Sequence, residues 1–454
     1  MVLVHSDPTI KELPNASILH KNKECSPMLQ STFRRAIVVA LFLPSFVWGQ
    51  ESKPLKLEGL ISEALQNNPQ LRAARNQTAA ARTRVNQATS WDAPQVGVEL
   101  FQTPIQSFPN PFKNGMETDY FLQQMFPFPG KLSAMGSMAE SNANMVDQGY
   151  RGLERKVLRD LKSAYYELYL VQRKIQINGE NQELMRRFVD IASKQYEVGM
   201  GKQQDILRAQ TELSTLVNEG LNIQKESQVV ESMINTLVSR SPDTPLGYVP
   251  DIEADVPRWT LDQLRPLALE SRPELKAMTF GIDMNKAELS LSKREYYPDL
   301  MARVMYKDMA MTSNDFWSVM IGVSIPLSPW SSGKYTSKVE ENQLNIQKAQ
   351  DEYASMRNMT LFEVQDALVK VQTNQNLVML YKNTVIPQAE QTLQSTIASY
   401  QTGKTEFLML IDAYRMVLMS KLDYYKSVMS YMASQAALEQ AVGMNINEIA
   451  DKVR

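Results

Sequence analysis

The 454-residue sequence has almost none of the side chains from which most catalytic and metal sites are built, with one cysteine and two histidines. These three residues, His5, His20 and Cys25, all lie near the start of the chain. From the remainder, no Ser-His-Asp or Cys-His triad, zinc site or disulfide can be assembled. We therefore expect no catalytic residues, no bound metal, no cofactor and no enzymatic activity.

An excess of one charge and long apolar runs are also missing. A net charge of −2, with 22% charged residues, provides no basic surface for nucleic acid. The one marked apolar segment, AIVVALFLPSFVWGQ, follows Phe33-Arg34-Arg35 and has the pattern of a secretory signal peptide. We predict a signal peptide over residues 1–49, and a start at Met28 would leave residues 1–27 untranslated. No later stretch approaches the ~18 apolar residues of a membrane helix.

The rest of the chain is written twice. Landmarks recur at a constant separation of 204 residues: ALQNNPQL (64–71) and ALESRPEL (268–275), Pro94 and Pro298, Tyr196 and Tyr400, and Gly199 and Gly403. Such an offset indicates a tandem duplication. We predict a first repeat over 50–245 and a second over 246–454.

Proline is absent from Lys131 to Ser241, where apolar residues recur at spacings of three and four. This pattern predicts long coiled-coil helices. The expected helices cover 131–198 and 203–239 in the first repeat, and 335–401 and 406–441 in the second. Glycines lie between the members of each pair, where positive φ is accessible. Pro387 is expected to kink the third of these helices.

Residues 398–405 (ASYQTGKT) match the loosest form of a phosphate-binding loop. The first repeat keeps the Tyr and Gly of this motif but reads YEVGMG, without Gly-Lys-Thr. A phosphate-binding loop also follows a buried strand, whereas the residues before Gly403 are polar with helical spacing. We therefore interpret Gly403 as a helix turn and not as part of a nucleotide site.

Between the short first helix and the long helices of each repeat, the period changes to two. Trp317, Val319 and Ile321 alternate with polar or small residues, and Leu300, Ala302, Val304 and Tyr306 alternate with Met301, Arg303, Met305 and Lys307. This predicts strands at about 94–103, 117–126, 298–307 and 316–325. The second of these, containing TDYFLQQMF, has no clean alternation, so its faces stay unassigned.

In an exported chain, such strands fit a membrane sheet with apolar residues toward lipid and polar ones toward a lumen, with Trp317 in the interfacial belt. A hairpin of an ordinary soluble sandwich is the alternative. Four strands cannot close a barrel, and open edges in lipid would leave backbone groups unpaired. A membrane form must therefore be an oligomer, with eight strands from two chains or twelve from three.

These features together resemble the TolC family of outer-membrane efflux channels over the whole mature chain. The resemblance includes both Ala-Leu-x-x-x-Pro-x-Leu segments, the exits FPFPGK (126–131) and IPL…GK (325–334), and the tip motif formed by Tyr196, Val198, Gly199 and Asp205. It implies a mainly helical fold with a helical barrel and a shared trimeric β-barrel. It also implies outer-membrane lipid around the strands, a periplasmic adaptor protein and an inner-membrane pump of the RND type as partners.

The resemblance places Tyr196, Gly199, Asp205, Tyr400, Gly403, Lys404 and Asp412 at the periplasmic entrance. The second tip departs from the family pattern, since an expected arginine is Thr405 and an expected acid is Met409. A salt-bridge latch of the family kind is therefore in doubt. The alternatives are weaker gating or a gate that uses Lys404 with Asp205.

The substrate is the least determined feature. The sequence has 26 methionines, and it most resembles the heavy-metal branch of the family, which serves copper/silver and cobalt-zinc-cadmium pumps. Met301 and Met305 are expected on the lumen face, followed by Met309 and Met311 in a loop. Thioethers suit Cu(I), but methionine also fills irregular helix packing. Drugs, lipids and organic acids stay open as substrates, and a secreted helical scaffold or adhesin is the alternative function.

Overall fold

The computed structural model describes residues 54–112, 115–252, 259–309, 314–326 and 328–453. The predicted signal peptide, with His5, His20 and Cys25, lies outside the described residues, as does Met311. Among the described residues, no helix combines the length and apolarity needed to cross a membrane.

Each repeat folds in the order helix, helix, strand, strand and long helices. The first contains α1 (Leu57–Asn67), α2 (Pro69–Thr89), β1 (Gln95–Phe101), β2 (Glu117–Phe126), α3 (Lys131–Glu197) and α4 (Gln203–Leu237). The second contains α5 (Leu261–Ser271), α6 (Pro273–Arg294), β3 (Leu300–Met309), β4 (Phe316–Val323), α7 (Ser332–Leu380), α8 (Ile386–Gln401), α9 (Phe407–Val442) and α10 (Ile446–Val453). The predicted class, mainly helical with four strands per chain, is confirmed.

The single short helix expected at the start of each repeat is wrong, because the structure has two helices there. Pro69 is the first residue of α2, and its missing N–H ends the hydrogen-bond ladder of α1. The Asn68 side chain caps α2 by accepting from the backbone N–H of Gln70 at 2.9 Å and of Leu71 at 3.2 Å. Pro273 begins α6 in the same way in the second repeat.

Pro387 coincides with a change of helix type. A five-residue π-helix, Tyr381–Val385, separates α7 from α8, and Pro387 lies in the first turn of α8. Proline cannot donate the hydrogen bond that a continuous α-helix requires, and a local π-turn is a usual accommodation of such a defect.

The four strands form one antiparallel sheet in the order β1-β2-β3-β4. Strands β2 and β3 pair along ten residues, from Glu117 opposite Met309 to Phe126 opposite Leu300, and so join the two repeats. This register assigns the faces of β2 that the sequence left open: Tyr120 and Leu122 share a face with Val304, whereas Asp119 and Met125 share a face with Arg303.

Two separate hydrophobic clusters hold the helices together. The larger one packs α1, α3, α4, α5, α7 and α9 around Leu161, Trp259 and Tyr431. The smaller one joins α3, α4, α8 and α9 around Phe188, Phe407 and Tyr414. The smaller cluster lies next to the two glycine turns and fixes the positions of both.

Candidate functional site

The two glycine turns have the same backbone structure, and we call them the first tip (residues 196–205) and the second tip (residues 400–412). Gly199 has φ +76° and Gly403 has φ +70°. The following amides, those of Met200 and Lys404, donate to the carbonyls of Gln195 at 2.8 Å and Ser399 at 2.9 Å. This is the Schellman arrangement that ends a helix at a left-handed residue.

The tips differ in the burial of their tyrosines. Tyr196 is 49% exposed, whereas Tyr400 is 5% exposed and packs against Phe407, with ring centroids 5.4 Å apart. Burial, and secondly the nearby Asp205 carboxylate, raise the pKa of Tyr400 to about 12. Its hydroxyl has no hydrogen-bond partner among the described residues. The second-tip tyrosine therefore lies at the contact with the first tip, while the first-tip tyrosine faces outward.

Polar contacts join the tips within one chain. The Gln195 side chain donates to the Gln401 carbonyl at 2.8 Å, and the Lys202 ammonium lies 3.9 Å from Glu406. Further from the turns, Arg415 on α9 binds Glu212 on α4 through two hydrogen bonds of 3.1 and 2.7 Å. The Arg415 pair is bidentate and is the strongest of these links by geometry.

Lys404 and Asp412 are exposed. Neither forms a salt bridge with another residue in the described part of the chain, so a pairing of Lys404 with Asp205 is not seen within one chain. Asp205 lies in the first turn of α4, where its carboxylate accepts from the Lys202 amide at 3.5 Å. Asp412 is the sixth residue of α9, beyond the first turn, so it does not cap that helix.

One face of the sheet, here called the Arg303 face, carries an ion-pair network. Lys307 binds Glu117 and, at 3.0 Å, Asp119. Arg303 binds Glu99 at 3.2 Å, and its guanidinium lies 3.8 Å from the Phe121 ring centroid. Asp119 is 6% exposed, and its Oδ1 has no partner among the described residues. Met301 and Met305 lie on this same face.

The opposite face is apolar and open. Val96, Val319 and Ile321 are 80, 68 and 77% exposed, although they stand in the middle of paired strands. Tyr120, Tyr306 and Trp317 form a cross-strand row on this face, with centroid separations of 6.4 and 6.1 Å. Trp317 thus stands with two tyrosines at one level of the sheet, as in an interfacial aromatic belt.

Sequence reasoning missed the acidic partners Glu117 and Asp119. Their strand shows apolar residues on both faces, because Phe121 and Met125 lie on the Arg303 face and Tyr120 and Leu122 on the other. No period-two signal survives that mixture, and only the pairing register could have located the acids. The described residues contain no cluster of three or more His, Cys, Asp or Glu side chains suited to a metal ion.

Comparison with known proteins places this fold among exported channels. A family model described as "Outer membrane efflux protein" matches residues 60–233 and 264–444. The chain is 19% identical over 371 residues to the cobalt-zinc-cadmium resistance protein CzcC of Cupriavidus metallidurans, covering 82% of this chain and 86% of that protein. It is 20% identical over 439 residues to the outer membrane protein TolC of Escherichia coli, covering 91% and 86%.

The solved structures show the same fold. The structure of CusC, described in terms of transmembrane channel formation, superposes with a TM-score of 0.75 at 17% identity, covering 88% of this chain and 94% of that one.

Proposed function

The chain belongs to the outer membrane efflux protein family, and on this basis we propose that it is the outer-membrane channel of a tripartite efflux system. The channel lies in the outer membrane with its helices projecting into the periplasm. In this proposal it conducts substrates passively, and an inner-membrane pump of the RND type supplies the energy. A periplasmic adaptor protein joins the pump to the helical tips.

The observation that carries the proposal is the sheet, which has one open apolar face and two edges without partners in the chain. β1 and β4 are the outer strands of the four, and the Val304 face exposes large aliphatic side chains. In lipid, such edges must be paired, and closure needs about eight strands or more. We propose a homotrimer with a twelve-stranded barrel, in which the Arg303 face lines the bore.

In this trimer the tips surround the periplasmic entrance. Asp412 carries an unpaired charge on an exposed helix face, and three copies of it would set a negative potential in a narrow mouth. Asp205 is partly committed to capping α4 and to the contact with Tyr400. Heavy-metal cations are the proposed substrates, supported by the similarity to a cobalt-zinc-cadmium resistance protein and by this acidic mouth.

The proposal is tested with protein purified from outer membranes in detergent. Native mass spectrometry should detect a trimer, and bilayer recordings should detect a cation-selective pore. Ile321→Lys, on the apolar face, should abolish membrane assembly, since a lysine facing lipid near the midplane costs about 2–4 kcal/mol. The matched variant Ser318→Lys changes the other face of the same strand and should assemble normally. A folded monomer without channel activity would contradict the proposal.

A further inference from the structure

Methionines form a ladder on the exposed face of α9. Met409, Met416 and Met419 are 58, 54 and 58% exposed, so they contribute little to the packing of their own chain. Asp412 lies between them in the sequence, which gives successive spacings of three, four and three residues. Residues at these spacings stand one above another on one helix face, with Cβ atoms about 5–6 Å apart.

The chemistry of this ladder is that of a soft-metal path. Thioether sulfur is a soft ligand that selects Cu(I) and Ag(I), whereas Zn(II) and Co(II) favour imidazole, thiolate and carboxylate. The unbranched methionine side chain is flexible, so neighbouring rungs can reach one ion together. Asp412 adds a negative charge that attracts cations without providing a complete site for a hard ion.

A second group of thioethers lies on the Arg303 face of the sheet. Met125 is directly opposite Met301, and Met305 and Met320 are on the same face. The Met301 methyl group would lie 3.0 Å from a Cβ placed on Gly322, so this side chain extends over the neighbouring strand. The helix ladder and this group both lie on surfaces that the proposed channel turns toward its bore.

We infer that the channel binds soft monovalent cations, Cu(I) or Ag(I), through the Met409, Met416 and Met419 thioethers, with the strand methionines as a second station. The inference rests on the proposed function and narrows its heavy-metal class. It also separates this chain from a zinc or cobalt channel, because Met thioethers are poor ligands for those ions.

Ag(I) is the probe, since it does not change oxidation state during the measurement. The full-length protein, with Cys25→Ser to exclude its only thiol, is titrated with Ag(I) by calorimetry in nanodiscs. The variant Met409→Leu/Met416→Leu/Met419→Leu keeps side-chain volume and should bind Ag(I) at least about tenfold more weakly. The control Met233→Leu/Met359→Leu/Met379→Leu removes three comparably exposed methionines, 47, 51 and 51%, and should bind like the parent.

Equal affinity in the ladder variant and its parent, or an equal loss in the control, would overturn the inference. Silver-edge X-ray absorption of the parent gives a second measurement that needs no folded variant. Sulfur neighbours are expected, and a shell of oxygen or nitrogen alone would refute thioether binding. Potassium conductance separates the two proposals: a conducting channel that binds no Ag(I) refutes only the ladder, whereas a chain without conductance refutes the channel itself.

Discussion

The second-tip turn depends on a glycine with positive φ, and its replacement should have a cost that can be stated in advance. At Gly403 (φ +70°), an L-residue such as alanine costs about 1–2 kcal/mol in this left-handed conformation. The added Cβ would lie 3.3 Å from the Met200 methyl group, the far end of a flexible side chain that can move. The conformational cost therefore dominates, and Gly403→Ala should destabilise the turn by about 1–2 kcal/mol.

Hydrogen exchange is the assay, because it reports local opening. The Lys404 amide, which donates to the Ser399 carbonyl at 2.9 Å, should exchange about 5–30-fold faster in Gly403→Ala. Gly199→Ala should have a similar effect on the Met200 amide, since nothing lies within 4 Å of its added Cβ. Gly403→Asn is the matched control and should recover most of the protection, because asparagine tolerates this conformation.

Unchanged exchange in folded Gly403→Ala would refute the reasoning about the turn. The competing interpretation of Gly-Lys-Thr as a phosphate-binding loop makes a different prediction. In that case ATP would protect the 399–405 segment, and Lys404→Ala would remove the protection. We expect no protection in either protein.

Four further outcomes are expected. Gly443→Ala should prevent stable folding, since φ is +80° and the Cβ would lie 2.9 Å from the Arg272 Cα; thermal unfolding checks this. Asp412→Ala should reduce cation selectivity by up to about tenfold, because three carboxylates at ~8 Å each contribute ~0.5 kcal/mol in water; reversal potentials measure it, and unchanged selectivity would contradict the acidic mouth. Lys307→Met should lower thermal stability more than Lys404→Met, because it leaves buried Asp119 without its cation. The raised pKa of Tyr400 stabilises the protein below pH 10, and this contribution is lost as pH rises toward 12; Tyr400→Phe should flatten that alkaline loss in melting temperature.

The long helices and the strands could be predicted because local sequence dominates them. α3 contains no proline, and its apolar spacing continues to the glycine turn, so its observed range, Lys131–Glu197, ends one residue before the predicted end. Strand β4 alternates cleanly and begins at the predicted Phe316. In both cases one pattern persists long enough to exclude the alternatives.

Other features depend on contacts that repeat symmetry hides. Tyr196 and Tyr400 occupy equivalent positions of the duplicated motif, yet only Tyr400 is buried, because α9 places Phe407 beside it. The pairing of Lys307 with Asp119 needed the β2–β3 register, which no single strand specifies. The sequence reasoning placed Asp412 in a first turn, but α9 begins at Phe407.

The β2–β3 ladder also bears on how such a chain could have arisen. It joins the repeats by the same antiparallel pairing that joins the strands within each hairpin. Two separate polypeptides, each carrying a single repeat, could therefore have met along this ladder. An ancestor of half the length would need twice as many copies to supply the same strands, and all of its tips would be identical. Gene fusion removes that requirement, so that one tyrosine can be buried for cohesion while its twin stays free for contacts outside the chain.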